Sequence, residues 1–243
     1  MKKSNLRLLA FVLFLVLAQN SIAANKVQEG NGSEAASDET VAVGLSYTDG
    51  DGEHKNIAGN PAKPAEKYYA TAIGIANKAS GEYSSAFGFG NKASEEGSSA
   101  FGYRNKASEI SSSAFGFQNK ASGYVSSAFG SQNNASGSGS SAFGVDNKAS
   151  GNASSAFGFD NTASGGASSA FGFRNIASGL DSSAFGSQYE VTGEASGAFG
   201  VGKVTINASG KEYKYINKGN NSYMIGNYNK IASGSNNNFI LGN

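Results

Sequence analysis

Few residues in the sequence could support catalysis. There is no cysteine and a single histidine, His54. It ends the run Asp49-Gly50-Asp51-Gly52-Glu53-His54. Acid–base and nucleophilic catalysis need such a group held close to a reactive partner, and this run supplies none of the usual pairings. We therefore interpret His54 as an exposed loop residue and predict neither a catalytic residue nor a cofactor-binding site.

The same run carries a calcium-like pattern. Asp49, Asp51 and Glu53 alternate as they do at the beginning of a calcium-binding loop. The spaced glutamate of an EF-hand and the Gly-Gly-x-Gly-x-Asp repeat of calcium-binding β-rolls do not follow. The sequence therefore predicts no metal site.

The N-terminus is typical of an exported protein. Basic residues precede the apolar run Leu8–Ala18, which is followed by the small-residue segment Ser21-Ile22-Ala23. This pattern predicts a secretory signal peptide at residues 1–23, because the apolar run is too short to span a bilayer. Its removal would leave 16 basic and 18 acidic residues, so the net charge suggests no polyanion partner and no nucleic acid is expected.

A 14-residue repeat organises the chain. An apolar residue directly before a glycine recurs ten times at this interval, at Ile73, Phe87, Phe101, Phe115, Phe129, Phe143, Phe157, Phe171, Phe185 and Phe199. The glycines that follow are Gly74, Gly88, Gly102, Gly116, Gly130, Gly144, Gly158, Gly172, Gly186 and Gly200. The unit has the pattern Ser-Ser-Ala-Phe-Gly-x-x-Asn-x-Ala-Ser-Gly-x-x, and such regularity indicates a repeat architecture.

Each unit contains two apolar islands separated by Gly, Asn and Ser, and it lacks the spacing of an amphipathic helix. The pattern predicts an all-β fold, a parallel β-roll in which each repeat supplies two strands of four or five residues joined by tight turns. Because side chains alternate along a strand, phenylalanine should stack on phenylalanine from coil to coil. We predict that Ile73 and the nine phenylalanines form the structural core of the repeat.

Asparagine recurs at one position in eight consecutive units, from Asn77 to Asn175. Stacked amides can form a hydrogen-bonded ladder, and asparagine also tolerates the left-handed backbone angles of turns. Both interpretations are structural.

The repeats suggest a domain organisation. After the signal peptide, residues 24–68 form a polar leader in which Thr40-Val41-Ala42-Val43-Gly44 resembles a degenerate coil or cap. Residues 69–202 form ten coils, and residues 203–243 form an inserted hairpin and degenerate terminal coils. Since a coil with one phenylalanine buries little apolar surface relative to the cost of ordering its backbone, the roll is expected to be oligomeric.

The repeated units resemble the head repeats of YadA-like trimeric autotransporter adhesins, whose consensus pairs Asn-Ser-x-Ala-Ile-Gly with Ala-x-Ala-Ser-Gly. The resemblance covers about residues 69–200 and implies a left-handed roll, a homotrimer and display on a Gram-negative cell surface. The family's coiled-coil stalk and C-terminal anchor have no counterpart in the sequence. A truncated adhesin, which would lie at the outer membrane if full length, and a freely secreted extracellular head both remain open.

The resemblance implies an adhesin that binds a host extracellular matrix protein or a cell-surface receptor. Its binding surface would be the outward face of many coils, with affinity from repeated weak contacts. The candidate residues vary between units and follow the repeat glycine, namely Arg104, Gln118, Asp146, Asp160 and Arg174. The alternatives are a structural spacer, a secreted non-adhesive fragment, or a left-handed β-helix acyltransferase, whose hexapeptide repeat and histidine within the coils are missing here.

Overall fold

The computed structural model describes residues 27–31, 33–49, 52–63, 68–202, 205–206, 212–213 and 215–242, and their regular structure is entirely β-strand. The predicted signal peptide lies outside these residues. Within the described ranges, no helix is long and apolar enough to cross a membrane.

One strand from each coil joins a parallel sheet of 14 strands, called the long sheet below. In spatial order its strands are β1 (Val27–Glu29), β3 (Val41–Leu45), β7 (Thr71–Ile75), β9 (Ser85–Phe89), β11 (Ser99–Tyr103), β13 (Ser113–Phe117), β15 (Ser127–Ser131), β17 (Ser141–Val145), β19 (Ser155–Phe159), β21 (Ser169–Phe173), β23 (Ser183–Ser187), β25 (Gly197–Val201), β29 (Tyr223–Ile225) and β30 (Phe239–Leu241).

The second strand of each coil joins a parallel sheet of 12 strands, called the short sheet below. Its strands are β2 (Ser33–Ala35), β6 (Asn56–Ala58), β8 (Lys78–Ala79), β10 (Lys92–Ala93), β12 (Lys106–Ala107), β14 (Lys120–Ala121), β16 (Asn134–Ala135), β18 (Lys148–Ala149), β20 (Thr162–Ala163), β22 (Ile176–Ala177), β24 (Glu190–Val191) and β28 (Ile216–Asn217).

Successive coils stack in register. Ala100 pairs with Ala114 and Phe101 with Phe115, and the same pairing recurs at each step of the regular stack. Each position of the 14-residue unit therefore forms a column along the roll, with neighbouring rungs about 4.8 Å apart. The predicted parallel β-roll is confirmed, although the strands of the short sheet in the regular coils have two residues rather than the predicted four or five.

The long sheet extends beyond the most regular repeats. In β3, Ala42 pairs with Ala72 and Gly44 with Gly74, so this strand belongs to a coil of the same stack. Two antiparallel hairpins interrupt the pattern, β4 (Tyr47–Asp49) with β5 (Gly52–His54) and β26 (Thr205–Ile206) with β27 (Glu212–Tyr213). Each hairpin lies between the long-sheet strand and the short-sheet strand of one coil.

Alanine, serine and asparagine fill the interior of the roll. Ala86 in the long sheet and Ala93 in the short sheet are fully buried, as are their counterparts in the other regular coils. Side chains alternate along the long-sheet strand, so an inward alanine places the next residue outward. The prediction that Ile73 and the nine phenylalanines form the core is wrong for the single chain. These side chains lie on the outer face, where Ile73 is 38% and Phe199 is 42% exposed.

The buried asparagines form the predicted ladder. At Asn119, Nδ2 donates to the carbonyl oxygens of Phe115 at 2.8 Å and Gly130 at 2.7 Å, and it lies 3.0 Å from Oδ1 of Asn105. Oδ1 of Asn119 accepts from the backbone N–H of Asn133 at 3.0 Å. Each amide thus satisfies backbone groups in its own coil and in the next coil, which would otherwise lie unpaired in the interior, and it contacts the amide of the preceding coil.

The left-handed backbone angle falls one residue before each of these asparagines. Arg104 has a φ of 53° and Asp146 a φ of 57°, whereas Asn105 and Asn147 do not have positive φ. The alternative explanation, that asparagine recurs because it tolerates left-handed angles, is therefore wrong. Asparagine recurs because its amide fits the interior hydrogen-bond pattern.

The repeat glycine has a separate steric role. Gly116 has a φ of 118°, and a Cβ atom built on it would lie 2.1 Å from the carbonyl oxygen of Gly130 in the next coil. The coils could not stack at this distance with a larger residue, which explains the glycine in every unit.

Tyr189 ends the asparagine ladder. It occupies the asparagine position, is 1% exposed, and donates its hydroxyl to the carbonyl oxygen of Gly226 at 2.6 Å. Its backbone N–H still donates to Oδ1 of Asn175 at 3.0 Å. Burial raises the pKa of the Tyr189 phenol above its usual 10.0 and outweighs a backbone hydrogen bond from Asn229 that acts in the opposite direction.

Replacing Asn119 by alanine should lower the free energy of unfolding by roughly 2 to 4 kcal/mol, because several buried backbone and amide groups lose their partner. Asn152→Ala is the matched control, since Asn152 is exposed, and it should change stability by less than about 0.5 kcal/mol. Urea unfolding followed by circular dichroism measures both. Equal stability of the two variants would contradict a structural role for the ladder.

The raised pKa of Tyr189 should make the fold sensitive to alkali. Because the folded state holds this proton more tightly than the unfolded state, its contribution is fully present below about pH 10 and is lost as the pH rises through the folded pKa. The stability difference between the protein and Tyr189→Phe should therefore stay constant up to about pH 9 and shrink between about pH 10 and about pH 11 in urea unfolding. A constant difference would show that Tyr189 ionises equally in both states.

Candidate functional site

The outer face of the long sheet carries a continuous stack of phenylalanine rings. From Phe87 to Phe199, neighbouring ring centroids are 4.6 to 4.9 Å apart and the ring planes differ by at most 10°. This spacing equals the rise between parallel strands and lies at the lower end of the range for stacked aromatic pairs. The predicted stacking of phenylalanine from coil to coil is confirmed.

A second apolar column runs beside the first, two residues further along each strand. Phe89 stacks on Tyr103 at 5.2 Å and Tyr103 on Phe117 at 5.3 Å, and Phe159 stacks on Phe173 at 5.5 Å. Because side chains alternate along a strand, the sequence predicts that these residues share a face with the phenylalanine stack. Register pairing places them on the same side as the phenylalanine stack.

The two columns together form what we call the aromatic face. Along the first column the apolar positions continue from Val43 through Ile73 to Ile225 and Leu241 in unbroken register. Twelve steps of about 4.8 Å give this column a length of roughly 58 Å. With two columns side by side, the aromatic face covers on the order of 600 Å².

Much of this face is open to solvent in the single chain. Phe117, Phe159 and Phe173 are among its exposed side chains, and the residues from Phe87 to Phe185 in the first column are half-buried. Soluble monomers rarely expose an apolar patch of this extent, and such patches mark interaction surfaces. The aromatic face is therefore the strongest candidate for an interface.

The five surface residues singled out from the sequence lie in one column at a corner of the roll. Arg104, Gln118, Asp146, Asp160 and Arg174 are all exposed, and their φ values are 53° to 57°. This corner column follows directly after the aromatic face in each coil.

Contacts along the corner column are local. The guanidinium carbon of Arg104 lies 5.2 Å from the centroid of Tyr103, and that of Arg174 lies 5.0 Å from the centroid of Phe173. Nε of Arg174 is 3.1 Å from Oδ2 of Asp160 in the preceding coil. Exposed contacts of this kind contribute little to stability, so these side chains are free to vary between units and to meet a partner.

A column of lysines on the opposite face was not identified from the sequence. Register pairing along the short sheet aligns four lysines in successive coils, Lys78, Lys92, Lys106 and Lys120. The next coil has Asn134 at this position, and the coil after it has Lys148. We call these five residues the lysine column. The signal was available, because lysine recurs every 14 residues directly after the ladder asparagine.

His54 is placed differently from the prediction of an exposed loop residue. It lies in strand β5, half-buried, with its backbone paired to Tyr47. Asp49 and Glu53 lie in the same hairpin, while Asp51 falls outside the described residues. Within the described ranges, no group of three or more histidine, cysteine, aspartate or glutamate side chains is arranged to hold a metal ion.

The repeats match a known family model. The model of the YadA head domain repeat, which spans two copies of the unit, matches residues 65–91, 79–105, 93–119, 107–133, 121–147, 135–161 and 163–188. Together these segments cover about half of the chain. Among curated proteins, none matches the chain. Adjacent matches are generally offset by 14 residues, the same interval that separates the coils of the roll.

Proposed function

The chain belongs to the family of YadA head domain repeats, and from this premise we propose that it is the head of a surface adhesin that attaches a bacterium to host cells or to extracellular matrix. The single observation that carries the proposal is the column of exposed corner residues that repeats from coil to coil along the roll. A ligand that spans several coils meets an exposed side chain of this column about every 4.8 Å, so weak contacts add up to firm attachment.

We propose further that three chains associate through their aromatic faces. The exposed aromatic rings support this arrangement, because association would remove them from water at a gain of roughly 25 cal/mol per Å². An area on the order of 600 Å² per chain is comparable to the roughly 800 Å² that each partner contributes to a standard stable interface. The corner column then lies at the edge of this interface, where it stays accessible to a ligand.

A non-catalytic role and export to the cell surface or the medium complete the proposal. The exposed side chains of the coils vary between units at the corner column, whereas the interior is uniform. Variation confined to the surface fits recognition of an external partner.

Oligomerisation is tested with a variant that replaces Phe115, Phe129 and Phe143 by serine. These side chains lie outside the roll, so the variant should keep its β-type circular dichroism spectrum at low temperature but melt at a lower temperature and lose association by at least about tenfold. The matched control replaces the exposed residues Tyr83, Tyr124 and Leu180, which lie in the turns, by serine. Sedimentation should show three chains for the protein and for the control. A stable monomer of the unchanged protein would overturn the three-chain proposal.

Adhesion is tested by binding of the purified protein to immobilised collagen, fibronectin and laminin and to cultured host cells. Replacing Arg104, Gln118, Asp146, Asp160 and Arg174 together by alanine should weaken binding by about tenfold or more, because the loss repeats along the column. The variant with serine at the turn positions 83, 124 and 180 again serves as the control. No binding of the unchanged protein to any of these surfaces would contradict adhesion and favour a structural spacer.

A further inference from the structure

The lysine column is a straight line of positive charge. Its members Lys92, Lys106, Lys120 and Lys148 are exposed, and Lys78 is half-buried. Five steps of about 4.8 Å separate Lys78 from Lys148, so the column is roughly 24 Å long. The distance of about 4.8 Å between neighbouring coils is well below the Debye length of about 10 Å at moderate salt. The electrostatic potentials of the lysines therefore overlap along the column.

Within the part of the chain that the structure describes, these charges are not neutralised by ion pairs. Among the residues that the structure describes, none of the five ammonium groups forms an ion pair, and the described pairs are Lys55 with Glu34 and Arg174 with Asp160. The acidic residues of the same coils, such as Glu95 and Glu109, lie in the turns that follow the short strands. Like charges on directly opposed residues of neighbouring strands are destabilising, so the column opposes folding.

The fold does not require lysine at this position. Further along the short sheet the same position holds Thr162, Ile176 and Glu190, and the strands pair there in the same register. In the coils that carry the lysines, the corner position changes from Gly90 to Arg104, Gln118 and Asp146. Lysine is thus retained in these coils although the corner residue changes from one coil to the next. It is retained even though stacked like charges lower the stability of the fold.

We propose that the lysine column binds a linear anionic polysaccharide, with sulfate or carboxylate groups along its length, laid parallel to the axis of the roll. The proposal rests on the adhesive function proposed above and names one class of ligand for it. A flexible chain can follow a straight row of cations and place an anion near each. Its binding releases condensed counterions and is therefore salt-dependent.

The short sheet suits a polysaccharide better than a single-stranded nucleic acid. Single strands are held by stacking of bases on aromatic side chains beside a basic groove. Here the aromatic columns lie on the long sheet, whereas the lysine column lies on the short sheet. A chain that binds by its charges alone needs no stacking platform.

The experiment measures binding of heparin, as the anionic probe, to the full assembled protein at several salt concentrations. Replacing Lys92, Lys106 and Lys120 by glutamine should weaken heparin binding by about tenfold or more and reduce its salt dependence. The matched control replaces Lys55, Lys218 and Lys230, which are exposed elsewhere, by glutamine and should stay within about twofold. A variant with arginine at positions 92, 106 and 120 should retain binding, which separates loss of charge from loss of fold.

Three outcomes would overturn the proposal. The first is that the unchanged protein does not bind heparin, the second is that the two glutamine variants weaken binding equally, and the third is that duplex DNA binds as tightly with the same dependence on the three lysines. Binding to matrix proteins is measured on the same samples. If the protein binds matrix proteins but not heparin, the proposal for the lysine column is wrong and the proposed adhesive function stands. If it binds heparin but neither matrix proteins nor cells, the proposed adhesive function is wrong and the proposal for the lysine column stands.

Discussion

The narrow interior of the roll is the constraint on which the structure depends. With 14 residues per coil, the two sheets of the regular coils lie so close that alanine, serine and asparagine fill the space between them. Backbone groups that face this space cannot reach water, and the asparagine amides supply their hydrogen bonds. Because each amide joins three successive coils, a shift of one residue anywhere would break the ladder on both sides. The unbroken period of the sequence follows from this requirement.

The same constraint determines what lies outside. In the regular coils a phenylalanine ring has no room between the sheets, so the alternation of the strand places it on the outer face, where the rings stack along the axis. Buried alanines return little free energy relative to the cost of ordering the backbone, and a single roll is therefore poorly stabilised by its own interior. Association through the aromatic face, as we propose, would compensate for this. It would also leave the corner column and the short sheet free for ligands.

Much of this could be predicted from the sequence. The period, the parallel stacking of identical residues and the asparagine ladder all follow from the spacing of residue types, and the family match agrees with the resemblance of the repeats. The orientation of the strand could not be predicted, since alternation defines two faces without saying which one is inside. Phe115 was therefore assigned to the core although Ala114 occupies it. Tyr189 was missed for a related reason: its buried contact with Gly226 crosses an inserted hairpin that has no counterpart in the repeat.

The outward orientation of phenylalanine and its burial between chains form the central claim. Photo-crosslinking tests it directly, with benzoylphenylalanine in place of Phe143 on the aromatic face and, as a control, in place of Tyr124 in an exposed turn. Illumination should yield covalent dimers and trimers from the probe at position 143 and only single chains from the probe at position 124. If the probe at position 143 yields only single chains in a sample that sediments as an oligomer, association through the aromatic face is contradicted.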